Sequence, residues 1–173
     1  LAVTSLRITD AAYHPRARLQ IERVPHGAEA GHDSTAERRE LHEIGVDEVR
    51  AAREAIGPGV KLMMDTNCPW TVAEAIAMAK KVREYDLFWF EEPVWPPEDY
   101  AGLARVRREC GIAVSAGENA VSLTDFRAMF DAGAVDYAQP SVTKIGGVTE
   151  MMRIAELAHV RDVTLVPHSP YFG

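Results

Sequence analysis

At 173 residues, with 47% apolar and 26% charged residues, the chain has the composition of a globular protein large enough to bury one hydrophobic core. A net charge of −7 argues against a nucleic-acid surface, and no apolar run approaches the roughly 20 residues of a membrane helix. The N-terminus lacks the charged-then-apolar layout of a signal peptide. Cys68 and Cys110 form no metal-binding spacing. We therefore expect a cytoplasmic protein with two free thiols and no nucleic-acid or membrane partner.

The first 47 residues differ in pattern from the rest of the chain. VTSLRITD and ARLQIERV predict two extended segments joined by a turn, as in a β-hairpin, and HGAEAGHDS predicts a loop. Ser34 and Glu37 form a capping box ahead of a short helix that is expected to end at Gly45. We assign residues 1–47 as an N-terminal segment and residues 48–173 as the main unit.

From residue 48 onward, predicted helices and strands alternate. Asp47 can cap a helix that stops at Gly57, and Thr71 with Glu74 forms a capping box for the next helix. The predicted strands span residues 60–64, 87–90, 112–115, 135–139 and 162–166. They are short and nearly all apolar, which is typical of strands buried on both faces, as in parallel sheets covered by helices. The pattern therefore predicts an α/β fold.

Four ionisable residues follow these strands at an almost regular interval. Asp65, Glu91 and Glu118 are about one βα unit apart, and His168 follows after about two such units. Each residue lies at or just past the end of an apolar run. In a parallel barrel the C-terminal strand ends share one face, and the chemistry takes place there. We therefore expect these four side chains to converge.

Three converging carboxylates favour Mg²⁺, which prefers oxygen ligands, and a nearby histidine favours a general base. Each residue also has a structural alternative. Asp65 could be a helix cap or a loop acid, and Glu118 could cap the helix that follows it. Glu91 with Glu92 could be a solvated loop pair, and His168 could be a packed or surface side chain. The shared interval favours the metal site, because independent caps need not recur at equivalent positions. The GxSxG, P-loop and GxGxxG motifs are absent.

Five segments, in this order, resemble the barrel domain of the enolase superfamily: KLMMDTN, FWFEEP, SAGEN, QPSVTKIGGVTE and LVPHSP. Within the superfamily they are similar to the mandelate racemase and muconate lactonizing enzyme branch, especially its acid-sugar dehydratases. The resemblance covers residues 48–173 and implies strands three to seven of a TIM-type (β/α) barrel. It also implies that residues 1–47 are a remnant of an α+β capping domain with a connecting helix.

The resemblance assigns roles to the same residues. It implies that Asp65, Glu91 and Glu118 bind Mg²⁺ and that His168 is the base. Ser141 stands where the mandelate racemase pattern has an aspartate that pairs with the histidine. A serine can orient an imidazole by a hydrogen bond but cannot supply a charge that stabilises its protonated form.

Two further residues are weaker candidates for positioning ligands or substrate. Asn67 lies two residues after Asp65, and Lys144 belongs to the KIGG turn. A purely structural role for Lys144 is an open alternative.

The implied reaction is Mg²⁺-dependent removal of the α-proton of a hydroxy or sugar acid to give an enediolate. Loss of a β-hydroxyl would then give a 2-keto-3-deoxy acid, which makes the enzyme a lyase. A racemase or epimerase is one alternative, although the lysine motif expected before Asp65 is absent. The other alternative is a non-catalytic, truncated or degenerate barrel, because a complete barrel takes about 250 residues. Open barrel edges are expected to pair, so we expect a homo-oligomer.

Overall fold

The structure, a computed structural model, describes the backbone of residues 5–9 and 35–168 and the side chains of residues 45–168. The strands are β1 (Ser5–Thr9), β2 (Lys61–Asp65), β3 (Leu87–Glu91), β4 (Val114–Ala116), β5 (Tyr137–Ala138) and β6 (Thr164–Leu165). The helices are α1 (Thr35–Ile56), α2 (Val72–Val82), α3 (Tyr100–Cys110), α4 (Leu123–Asp131) and α5 (Val148–Val160), with a 3₁₀ turn at Arg83–Tyr85. The predicted extended segment VTSLRITD contains β1, whereas the second segment of the predicted hairpin, the loop HGAEAGHDS and the Ser34–Glu37 capping box lie outside the described residues or side chains.

The strands form one sheet in the order in which they occur in the chain, β1 to β6. β1 is antiparallel to β2, and each later strand is parallel to the one before it. A helix connects each pair of parallel neighbours, which is the βα repeat that the sequence predicted. The predicted α/β class and the five predicted parallel strands are confirmed, although β5 and β6 are shorter than expected.

The predicted helix end at Gly45 is wrong, because α1 continues through Gly45 and Asp47 to Ile56. Gly45 is buried against α2, and a Cβ atom there would lie 3.3 Å from Met78 Cε. The glycine therefore permits a close approach of two helices. The predicted helix cap at Asp47 is also wrong, because Asp47 lies inside α1 and accepts a hydrogen bond from Arg50 on the exposed helix surface. The division of the chain at residues 47 and 48 stays a prediction, and the helix runs across it.

Local caps also mark three other helix boundaries, and one of them is the predicted capping box of Thr71 and Glu74. Thr71 and Glu74 form a reciprocal capping box at the start of α2, and the Ser122 hydroxyl accepts from the backbone N–H of Asp125 at the start of α4. Gly111 ends α3 with a left-handed φ of 71°. The side-chain caps of α2 and α4 satisfy backbone groups that a helix start leaves without partners.

The hydrophobic core lies between the helices and one face of the sheet. Its largest fully buried side chains include Phe90, Phe126, Leu62, Met64, Met78 and Leu103. Because neighbouring strand residues point to opposite faces, Asp65 lies on the face opposite Leu62 and Met64. None of the helices within residues 35–168 is both long and apolar enough to cross a membrane.

Candidate active site

The carboxyl ends of the parallel strands bring the predicted site residues to one edge of the sheet. Asp65 is the register partner of Glu91 on the neighbouring strand, and Glu91 is the partner of Ser115 in β4. Glu118 follows β4 by two residues. His168 follows β6 by three, and its backbone N–H donates to the carbonyl of Pro140. The expectation that strand ends gather these residues at one edge agrees with this geometry.

Asp65 and Glu91 are buried where the strands end. Glu91 is only 2% exposed, as is Glu92 beside it, so the two acids are not a solvated loop pair. The indole N–H of Trp89 donates to Glu91 Oε2 at 2.9 Å, and the backbone N–H of Asn67 donates to Asp65 Oδ1 at 3.3 Å. Burial of a carboxylate is costly unless it is paired with a cation, hydrogen-bonded or bound to a metal.

Glu118 and His168 are in direct contact. Glu118 Oε2 lies 2.8 Å from His168 Nδ1, and the two side chains are 16% and 7% exposed. A carboxylate at this distance stabilises a protonated imidazole. The hydroxyl of Ser141 is buried and shares a hydrogen bond of 3.0 Å with Thr143 Oγ1. The carboxylate beside the imidazole therefore belongs to Glu118, whereas the hydroxyl of Ser141 is bonded to Thr143.

The two weaker candidates lie beside this group and are both exposed. Asn67 has a left-handed φ of 51°, and Cys68 follows with a φ of 56°. Lys144 extends toward the β4–α4 loop, where its Nζ donates to the backbone carbonyl of Glu118 at 2.8 Å. Lys144 thus anchors the loop that carries Glu118, and this contact of Lys144 is a structural one.

The acids suit Mg²⁺ by their chemistry, although their side chains are not gathered around a common centre. Among residues 45–168, no group of three or more His, Cys, Asp or Glu side chains is arranged to hold a metal ion. Glu91 accepts a hydrogen bond from Trp89, and Glu118 contacts His168. Three carboxylates from neighbouring strand ends are nevertheless the hard oxygen donors that Mg²⁺ prefers.

Sequence reasoning missed the part played by Glu92, whose carboxylate accepts hydrogen bonds from Cys68, Gly117 and Asn119. Burial raises the pKa of Glu92, while these hydrogen bonds act in the opposite direction. The only signal in the sequence was the Glu-Glu-Pro triplet after β3. Two adjacent acids at a strand end cannot both point to the same face, so the second needed a separate explanation.

A family model described as "Enolase C-terminal domain-like" matches residues 27–173. The chain belongs to this family. The resemblance inferred from the five segments is therefore confirmed. The family assignment covers all the parallel strands and every candidate site residue.

Curated relatives and solved structures agree with this family. The chain is 41% identical over 123 residues to 3,6-anhydro-alpha-L-galactonate cycloisomerase from Streptomyces coelicolor, covering 71% of this chain and 34% of the relative. It is 35% identical over 130 residues to L-rhamnonate dehydratase from Saccharopolyspora erythraea, covering 74% of this chain and 33% of the relative. The chain thus spans about a third of the length of these relatives.

The crystal structure of a racemase from Streptomyces coelicolor with bound magnesium superposes with a TM-score of 0.72 and 39% identity. The match covers 74% of this chain and 36% of the racemase. It confirms the predicted fold, a partial (β/α) barrel of the enolase superfamily. The racemase shows that magnesium occurs in a protein of this family with the same fold.

Proposed function

We propose that this chain carries the metal-binding and acid/base residues of a Mg²⁺-dependent enzyme that removes the α-proton of a hydroxy or sugar acid. The enediolate that results would lose a β-hydroxyl, so the proposed overall reaction is dehydration to a 2-keto-3-deoxy acid by a lyase. The observation that carries the proposal is the contact between Glu118 and His168 at the same sheet edge as Asp65 and Glu91. The names of the relatives, which are sugar-acid dehydratases and cycloisomerases, support the substrate class.

The proposed ligands for Mg²⁺ are Asp65, Glu91 and Glu118. When bound, the ion would act as a Lewis acid that polarises the substrate carboxylate and stabilises the negative charge developing there. Asp65 and Glu91 are buried among protein atoms, which limits the access of water to their carboxylates. Asn67 and Lys144 are proposed to position substrate or ligand groups at the exposed rim of the same site.

His168 is the proposed general base. Its imidazole is nearly buried, and the adjacent Glu118 carboxylate favours the protonated form that results when the base accepts a proton. A base of this kind takes the α-proton and returns a proton to the departing hydroxyl. Ser141 is proposed to support the loop beside the imidazole through its hydrogen bond to Thr143.

A cycloisomerase is the second candidate, because the relative with 41% identity carries that name. The two reactions differ in mass balance, since a dehydratase releases water and an isomerase conserves the mass of its substrate. A racemase would also conserve mass, but it would place deuterium at the α-carbon with inversion in D₂O. A non-catalytic barrel would bind metal and give none of these products.

Metal binding is tested first, with the metal-free chain. Addition of Mg²⁺ should raise the Tm, because a ligand that binds only the folded state stabilises it by mass action. Glu91→Gln removes one proposed ligand and should abolish the rise. Glu84→Gln removes a carboxylate from the exposed 3₁₀ turn and should keep it. A parent chain whose Tm ignores Mg²⁺ would reject the proposed metal site.

The reaction is then tested by incubating the Mg²⁺-loaded chain with a panel of sugar acids in D₂O. NMR and mass spectrometry should detect a keto acid that has lost one water, and His168→Asn should eliminate it. A cyclised product with the same mass as its substrate would favour the cycloisomerase. Deuterium at the α-carbon with inversion of configuration would favour the racemase. Mg²⁺ binding without any product or exchange would favour the non-catalytic alternative.

A further inference from the structure

Glu92 lies at the centre of a hydrogen-bond network that joins the ends of three neighbouring strands. Its Oε1 accepts from the backbone N–H of Gly117 at 2.8 Å. Its Oε2 lies 2.8 Å from the donating Cys68 thiol and 3.3 Å from the donating Asn119 amide nitrogen. Both carboxylate oxygens are thus engaged by protein donors, which leaves Glu92 poorly suited to be a metal ligand itself.

The backbone of Glu92 belongs to the same network. Its carbonyl accepts from the backbone N–H of Cys68 at 2.6 Å and from the hydroxyl of Thr66 at 3.0 Å, and its N–H donates to the carbonyl of Ser115 at 3.0 Å. Glu92 has a left-handed φ of 46°, a conformation that costs energy in a residue other than glycine. The surrounding hydrogen bonds offset this cost and hold the turn in place.

The partners of Glu92 flank the proposed metal ligands in the sequence. Gly117 and Asn119 are the two neighbours of Glu118, and Glu91 directly precedes Glu92. Cys68 lies three residues after Asp65, in the loop that follows β2. One buried carboxylate therefore contacts the backbone of the residue before Glu118 and the side chain of the residue after it, and it also contacts the thiol of Cys68 in the loop that follows Asp65.

We propose that Glu92 is a positioning residue that sets the spacing of Asp65, Glu91 and Glu118 for Mg²⁺ without binding the ion. This inference rests on the proposed metal site. A buried carboxylate is costly, and a neutral side chain of similar size would join loops at a lower cost if that were its only role. Residues that orient metal ligands through hydrogen bonds typically change metal affinity by about 10–100-fold when they are substituted.

Glu92→Gln tests the inference, because it keeps the size of the side chain but replaces one acceptor oxygen with a donor. Calorimetric titration of the metal-free chain with Mg²⁺ should give a dissociation constant about 10–100-fold higher than that of the parent. Glu98→Gln is the matched control, since Glu98 is an exposed acid in the same β3–α3 connection, and its affinity should equal that of the parent. The metal-free Tm of each variant is measured alongside.

A purely structural role would change only the metal-free Tm and leave the Mg²⁺ affinity of the folded chain as in the parent, which would overturn the inference. If Glu92→Gln does not fold, Asn119→Ala decides the matter, because Asn119 is exposed and its removal deletes one partner of Glu92. Weaker binding of Mg²⁺ by Asn119→Ala supports the inference, and unchanged binding overturns it. A parent chain that does not bind Mg²⁺ rejects the proposed metal site, and the inference with it.

Discussion

His168 has a carboxylate beside it that belongs to Glu118, two residues after β4. The mandelate racemase pattern places an aspartate at the position of Ser141, and here that hydroxyl is hydrogen-bonded to Thr143. Glu118 instead lies 2.8 Å from the imidazole. Glu118 thus contacts the proposed base and is also a proposed Mg²⁺ ligand. This arrangement would couple metal binding to protonation of His168, because the charge of Glu118 would be shared between the ion and the imidazole.

Cys68 provides a prediction on the dependence of stability on pH. Burial raises the pKa of its thiol above the ordinary value of 9.0, and the charge of the nearby Glu92 carboxylate acts in the same direction. The folded chain therefore favours the neutral thiol. Its contribution to stability is present in full below the ordinary pKa and is lost as the pH rises above it, because the unfolded chain then releases the proton first.

We therefore expect the free energy of unfolding of the parent to fall by about 1 kcal/mol more than that of Cys68→Ala from about pH 8 to about pH 10. Urea unfolding at a series of pH values measures this difference. Cys110 is present in both proteins, so its own contribution cancels. If the free energies of unfolding of the two proteins change in parallel above pH 9.0, the Cys68 thiol ionises as easily in the folded chain as in the unfolded one, which would contradict the prediction.

At the scale of single elements, local signals in the sequence predicted most of the fold. The capping residues Thr71 and Ser122 set helix starts through hydrogen bonds to residues three positions away, so a short stretch of sequence contains the whole interaction. The prediction that a helix ends at Gly45 was wrong because the role of this glycine depends on Met78, which is distant in the sequence. A glycine that ends a helix and one that admits a neighbouring helix look the same in the sequence.

The candidate site was predictable in position but not in its contacts. Strand-end periodicity is enough to predict that Asp65, Glu91 and Glu118 come to one edge of a parallel sheet. It cannot tell which side chain pairs with which, because the contacts of Glu92 and His168 join residues that are far apart in the sequence. Those contacts depend on side-chain rotamers and on turn geometry after each strand.

The turn between β4 and α4 gives a prediction at Gly117, which precedes Glu118. Gly117 has a φ of 127°, and an added Cβ would lie 2.8 Å from Phe126 Cε1 and 3.2 Å from the backbone nitrogen of Gln139. Gly117→Ala should therefore lower the free energy of unfolding by about 2–4 kcal/mol, through backbone strain and overpacking. Chemical denaturation of the metal-free chain measures the loss.

Gly59→Ala is the matched control for this substitution. Gly59 does not have a left-handed φ, and an added Cβ would meet no atom within 4 Å. The substitution should leave stability unchanged or raise it by up to about 1 kcal/mol, because alanine restricts the unfolded chain. Equal effects of the two substitutions would show that the β4–α4 turn tolerates a side chain and does not constrain Glu118.

At the scale of the whole molecule, the sheet within the described residues is open, with β6 at one end of the strand order. The N–H groups of Thr164 and Val166 donate to β5, at the carbonyls of Asp136 and Ala138. Backbone N–H groups alternate in direction along a strand, so the N–H of Leu165 points away from β5. An edge of this kind presents backbone groups that can pair with another strand.

We propose that a polypeptide of these 173 residues associates through β6, with a sedimentation coefficient that rises with concentration across the micromolar range. Thr164→Lys places a charge on the exposed edge strand, a common means of preventing edge pairing, and should shift the protein toward the monomer. Thr149→Lys introduces the same change on an exposed position of α5 and should sediment like the parent. A parent that sediments as a monomer at every concentration would contradict association through this edge. If both lysine substitutions lower the sedimentation coefficient equally, the effect comes from net charge and not from the edge of β6.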